Sequence, residues 1–245
     1  MKLIFIRHGD PNYEKNSLTP KGFREAQLLA ERVKKWNVKE FYCSPLGRAK
    51  DTAAPTLKKM NREAVIYDWL REFEAPIEEP VYGGAHIPWD LLPGYWTKEP
   101  MLYDKDEWVN AAVMKTGNVA GEAKRVWDGI DGILEDHGYK REENLYRATR
   151  RNEDTIVIFC HLGVESVMLA HILGISASCI WQGFFIAPTS VTVLQTEERR
   201  DGEAYFRCHM MGDTSHLYMA DEPISQMGTY QELFVTEQMV NRRKK

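Results

Sequence analysis

The sequence predicts a three-layer α/β/α domain on a mostly parallel sheet, with helices alternating with strands along one chain. Four apolar runs carry that expectation: Leu3-Ile4-Phe5-Ile6, Phe41-Tyr42-Cys43, Ala64-Val65-Ile66-Tyr67 and Ile156-Val157-Ile158-Phe159-Cys160. None alternates apolar with polar residues, which is the pattern of strands covered on both faces. The intervening segments show helical periodicity, and 245 residues suffice to bury one large core.

The first run ends abruptly in Arg7-His8-Gly9-Asp10. Thr19 then caps a helix with Pro20 at its first position, and Phe23, Ala26, Leu29, Ala30 and Val33 repeat at helical spacing. The second run leads into Ser44-Pro45-Leu46-Gly47-Arg48, where a helix starting near Leu46 carries Arg48 in its first turn. The third precedes Asp68-Trp69-Leu70-Arg71-Glu72.

Residues 75–153 break the pattern and read as an insertion in the single domain 1–245. Pro76, Pro80, Gly83, Gly84, Pro88, Pro93, Gly94 and Pro100 make its first half irregular, while Tyr82, Trp89, Tyr95, Trp96, Tyr103 and Trp108 carry too much aromatic surface for a solvated linker. A helix follows with Ala123, Val126, Trp127, Ile130, Ile133 and Leu134 on one face and Gly138 as its stop. The polar tract 140–153 reads as an exposed return loop. After the run at 156–160 comes Cys160-His161-Leu162-Gly163, then a helix with Val164, Val167, Met168, His171 and Ile172 on one face, ended by Gly174. Strands near 190–194 and 204–210 complete the sheet, and 230–240 reads as a terminal helix.

Composition narrows the function. A net charge of −4 gives no polyanion footprint, which argues against nucleic acid, and the basic run 242–245 reads as a solvated end. No apolar stretch reaches membrane-spanning length and Met1-Lys2 enters the first strand directly, so a cytoplasmic location is expected, without membrane attachment. Cys43, Cys160, Cys179 and Cys208 lack metal-ligand spacing and lack the C-x5-R loop of thiol phosphatases.

Parallel strands bring their carboxyl ends to one rim, where ligands of open α/β sheets bind. Collected there are two imidazoles, two guanidiniums, a carboxylic acid and small residues, an inventory suited to phosphoryl transfer without metal or cofactor. Guanidinium forks match phosphate oxygens, a neutral imidazole can attack phosphorus, and a carboxylic acid can protonate the leaving oxygen.

At these residues the chain resembles the histidine phosphatase superfamily, which also includes phosphoglycerate mutases. Arg7-His8-Gly9 is similar to its signature, Leu18-Thr19-Pro20-Lys21-Gly22 to the opening of its first helix, and Ser44-Pro45-Leu46-Gly47-Arg48 to its second arginine block. Cys160-His161-Leu162-Gly163-Val164 stands where its second histidine does, and Gly212-Asp213-Thr214-Ser215-His216-Leu217 resembles a late motif of its phosphatases. The resemblance implies a phosphoglycerate mutase-like fold in which the insertion 75–153 forms a cap above the pocket, and a phosphomonoester hydrolase acting on a small-molecule ester. It makes His8 the nucleophile that becomes phosphohistidine, with Arg7, Arg48, His161 and the backbone at Leu162 binding phosphate. Glu72 is the preferred proton donor, with Glu74 the alternative.

Asp10-Pro11 departs from the family's pattern, and the mutase block Arg-His-Tyr-Gly is missing. Both weaken the alternative of a phosphomutase, and the intact set Arg7, His8, Arg48, Glu72 and His161 argues against the other alternative, a non-catalytic phosphate-binding scaffold, which needs neither nucleophile nor proton donor. The role of Asp10 stays open between a pocket group and a turn initiator. His161 is expected to be cationic beside phosphate and His8 neutral. His86 is expected to be structural, His137 a helix-end group, and His216 a buttress of the site. The aromatic insertion suits either a cover over the pocket or an interface in a homo-oligomer.

Overall fold

The computed structural model describes residues 1–230, so the helix expected over 230–240 falls, apart from Tyr230, outside the described residues. Eight strands form the main sheet: β1 (Lys2–Arg7), β2 (Glu40–Cys43), β3 (Val65–Ile66), β4 (Tyr139–Glu142), β5 (Leu145–Ala148), β6 (Thr155–Cys160), β7 (Val191–Arg200) and β8 (Glu203–Asp213). Their order is β3-β2-β6-β1-β7-β8-β5-β4. The four strands β3, β2, β6 and β1 are mutually parallel. From β7 outward each pairing is antiparallel, so the sheet is mixed and its parallel half is the one that ends in polar residues.

Register places those endings side by side. Arg7 pairs with Cys160 and Phe159 with Cys43, so His8, His161 and Ser44 leave three adjacent strands at one level. Both faces of these strands are buried, as their unbroken apolar runs require. Ile4, Ile6, Phe41, Val157 and Phe159 meet Leu29 and Val33 of α1 (Pro20–Val33) and Ala49 and Ala53 of α2 (Gly47–Met60). Leu3, Phe5, Ile156 and Ile158 meet α3 (Val119–Asp136), α4 (Leu162–Leu173) and α5 (Ala177–Gly183) on the other face. Each such side chain stabilises the fold by roughly 1.5–3 kcal/mol on burial.

Three local expectations change. Val65 and Ile66 are 40% and 47% exposed, because β3 is a two-residue edge strand. Phe23 lies outside the buried face of α1, whereas Glu25 is fully buried, its Oε2 accepting the Asp10 N–H at 2.8 Å. The tract 140–153 contains much of a β-hairpin, β4 and β5, which joins the edge of the sheet through β8. Its alternating polar residues mark a one-sided edge, with Tyr139 and Tyr146 buried around Phe206.

The helix α3 belongs to the layer covering the sheet and packs beside α4. The irregular stretch ahead of it contributes Leu91, Leu102, Trp108 and Met114 to the same core. Trp181 of α5 collects this stretch, with Trp108 edge-on at 5.2 Å and Trp89 at 5.4 Å between ring centroids. No helix among the described residues is long and apolar enough to cross a membrane.

Candidate active site

Arg7 ends β1 and is buried, its Nη1 donating to the Ile186 carbonyl at 2.6 Å. His8 follows, also buried, and its Nδ1 is 2.8 Å from the Gly9 carbonyl oxygen. A carbonyl only accepts, so Nδ1 carries the proton and the neutral ring keeps its lone pair on Nε2. Burial and then Arg7 push the His8 pKa well below 6.5, which favours this neutral form.

The turn after His8 is held by close backbone packing against α1. A side chain at Gly22 would collide with the Asp10 backbone, which is the physical reason for glycine there. Thr52 of α2 accepts the Gly9 N–H at 2.9 Å and donates to the Arg48 carbonyl at 2.7 Å, tying the first turn of α2 to the same corner. Arg48 leaves that turn, bonded to Asn16 at 3.2 Å and stacked 5.4 Å from the Tyr13 ring centre.

The His161 ring lies 5.1 Å from that of His8. Ser44 accepts the Leu46 N–H at 3.2 Å and stands 2.7 Å from His161 Nε2, so its hydroxyl proton is available to that nitrogen. Burial, then His8, Arg48 and Arg7, push His161 well below 6.5. In the free protein burial, ahead of the neighbouring positive charge, thus favours the neutral form of both imidazoles, whereas the cationic His161 was expected beside bound phosphate. Arg7 Nε, Arg48 Nε and His161 Nδ1 are buried and have no hydrogen-bond partner. Buried donors without partners are the expected counterpart of an anion.

Glu72 sits where α4 begins. Its Oε1 accepts N–H groups from Phe73 at 2.8 Å and Val164 at 3.0 Å. Burial raises its pKa from 4.5, against the opposing pull of the Phe73, Val164 and Gly163 amides and of Arg48. Gly163 is required here, since a Cβ would lie 2.7 Å from Glu72 Oε1 and also strike the Trp89 ring. Leu162 opens α4, and its backbone N–H is among the first-turn donors that have no partner within a helix. Arg125 of α3 donates to the carbonyls of Trp69 and Glu72, which fixes the loop carrying Glu72. Glu74 is exposed and lies with Glu72, Arg48, Tyr13, Ile87 and Trp89 around a cavity of about 500 Å³.

Several contributors had no signal in the sequence. Thr189 donates its N–H to the carbonyls of Arg7 and His8, at 3.1 and 3.3 Å. His216 Nε2 is 3.2 Å from the Thr189 hydroxyl, so the expected buttress acts through this threonine. The segment after Tyr218 crosses beside the pocket: Glu222 pairs with Lys21 and Arg24, Ser225 donates to Asp10 Oδ1 at 2.5 Å, Gly228 packs on the Arg7 guanidinium, and Tyr230 donates to the Trp89 carbonyl at 3.1 Å. Asp10 Oδ2 also accepts from Thr19 at 2.7 Å, so its carboxylate joins the start of α1 to the crossing segment. His86 is bonded to Asp90 at 2.9 Å, and His137 to Tyr42 at 3.0 Å. Glu165, fully buried on the first turn of α4, has its pKa pushed up to about 8 by burial, with Thr192 and Arg7 opposing. Among the described residues no group of three or more His, Cys, Asp or Glu is placed to hold a metal ion.

Residues 3–79 match the family model described as histidine phosphatase superfamily, branch 1. Over these residues the chain is similar to the histidine phosphatase superfamily. A probable phosphatase of Schizosaccharomyces pombe is 24% identical over 231 residues, covering 89% of this chain and 95% of that one. A 2,3-bisphosphoglycerate-dependent phosphoglycerate mutase of Thermoplasma acidophilum is 36% identical over 79 residues, 28% of this chain and 40% of its own length. Among solved structures, a phosphoserine phosphatase from Entamoeba histolytica in complex with phosphoserine superposes with a TM-score of 0.59 at 20% identity, covering 88% of this chain and 98% of that chain. The likeness of fold therefore extends well beyond the matched first third.

Proposed function

We propose that the chain is a phosphomonoester hydrolase working through a phosphohistidine on His8. The observation that carries this reading is the neutral His8, its Nδ1 tied to Gly9, among three buried donors without partners on Arg7, Arg48 and His161. Those donors hold the peripheral phosphate oxygens. His8 Nε2 attacks phosphorus as the bond to the ester oxygen breaks, and protonated Glu72 gives that oxygen its proton, releasing the alcohol. The carboxylate left behind takes a proton from water, whose oxygen attacks phosphorus. Inorganic phosphate leaves and His8 and Glu72 return to their starting forms.

Most of the rate comes from positioning and from fixed positive charge around the transferring group. The residues 75–118 act as a cap, whose Ile87 and Trp89 border the leaving-group side. The full-length relatives named as phosphatases support hydrolysis over phosphoryl return, while the mutase likeness is confined to 79 residues. The test is inorganic phosphate released from a panel of phosphomonoesters in the presence of EDTA, by wild type and by His8→Ala. Release that is lost in the variant is expected. Equal release by both would overturn the assignment of His8.

A further inference from the structure

Beside the phosphate-binding groups, the cavity of about 500 Å³ is walled by Tyr13, Phe73, Ile87 and Trp89. Its charged residues are Arg48, Glu72 and Glu74. Arg48 is committed to phosphate and Glu72 to the leaving oxygen, so the side chain left to meet the rest of the substrate is the carboxylate of Glu74. Lysine is missing from the described lining, as is any arginine beyond Arg48. A second anionic group on the leaving alcohol would therefore find repulsion and no cation, whereas an apolar or aromatic body would bury surface against Trp89 and Ile87.

Resting on the phosphatase reading, we infer that the substrate class is a phosphomonoester whose alcohol has an apolar, aromatic-sized body and no second negative charge. This sets the chain apart from the relative solved with phosphoserine, whose ligand carries a carboxylate. The reacting bonds are unchanged: the P–O bond breaks, phosphorus passes to His8 Nε2, and the alcohol oxygen takes the proton of Glu72. What differs is the wall that seats the departing alcohol.

The test compares kcat/KM for benzyl phosphate, O-phospho-L-serine and 3-phosphoglycerate on the full chain, with phosphate release as readout. All three release alkyl alcohols, so a preference reads recognition rather than the ease of leaving. Benzyl phosphate is expected to lead both carboxylates by at least ~10-fold. Glu74→Lys, an exposed and conservative-in-size site, is expected to shrink that ratio by raising the carboxylates, and Ile87→Ser by lowering benzyl phosphate. Carboxylate substrates equal to or better than benzyl phosphate in the wild type would overturn the inference, as would an unchanged ratio in Glu74→Lys. Failure of the underlying reading looks different: no ester, p-nitrophenyl phosphate included, would show phosphate release dependent on His8.

Discussion

The floor of the pocket and its wall are built on different principles. The floor consists of strand ends and first helical turns, where Arg7, His8, Ser44, Arg48 and His161 are fixed by a parallel register that a one-residue slip would destroy. The wall consists of residues 75–118 and the crossing segment 222–230, held by aromatic packing and by single hydrogen bonds such as Ser225 to Asp10 and Tyr230 to Trp89. On the proposed reading, chemistry that must not vary is placed on rigid elements, and recognition of the leaving group where side chains can change without disturbing the sheet.

If that division holds, substitutions in the floor act on turnover and those in the wall on substrate choice. His8→Ala should lower kcat by at least ~10⁴-fold for every ester, because no other described group at the site is an equivalent nucleophile. Arg7→Ala and Arg48→Ala should each cost about 10²–10³-fold in kcat/KM. Losses of less than threefold in steady-state assays would break the comparison at its strongest point.

Glu72→Gln should lower kcat by about 10²-fold or more, while Glu74→Gln leaves kcat within a few-fold, since the first removes the proton donor and the second only a wall charge. The pH profile sharpens this. His8 must be neutral and Glu72 protonated, so kcat/KM falls on the acid side as His8 gains a proton and on the basic side as Glu72 loses one. With His8 pushed well below 6.5 and Glu72 raised from 4.5, Glu72→Gln should erase the basic limb and spare the acid limb.

Glu165 predicts an effect on stability rather than on turnover. Its folded pKa of about 8 stands above the 4.5 of an ordinary glutamate, so the folded chain keeps a proton that the unfolded chain releases. Stability from this group is fully present below 4.5 and is lost as pH rises toward 8. Urea unfolding should show a decline on the order of a few kcal/mol across that window, and Glu165→Gln should flatten it. An identical slope in the variant would show that the carboxyl is not held neutral.

The smallest effects belong to the crossing segment. Asp10→Ala, which frees Ser225 and Thr19, should raise KM by a few-fold and leave kcat within about twofold, as expected for uniform binding. A large fall in kcat would move Asp10 from the wall to the floor.

The same division explains what the sequence revealed. Arg7, His8 and His161 were legible because they stand at the ends of unbroken apolar runs, and Arg48 because it falls in the first turn of the helix after another. Glu72 was legible only with Glu74 as a rival, since local sequence does not show which carboxyl meets the α4 amides. Thr189, Glu165 and the contact of Gly228 with Arg7 depend on pairings across much of the chain that leave no local pattern. The hairpin β4–β5 was read as a loop because an edge pair with one solvated face is polar along most of its length. The downward pull on the His161 pKa could not be read from its neighbours in sequence, because burial, with His8 and two arginines brought in from other elements, sets it.

The central claim is the covalent step, and the most direct measurement is rapid acid-free quenching of the enzyme with a radiolabelled phosphomonoester, followed by mapping of the phosphorylated residue. The account predicts an alkali-stable, acid-labile label on Nε2 of His8 that is absent from His8→Ala. A label on any other residue, or turnover with no phosphoenzyme at saturating substrate in a Glu72→Gln variant given a good leaving group, would contradict it.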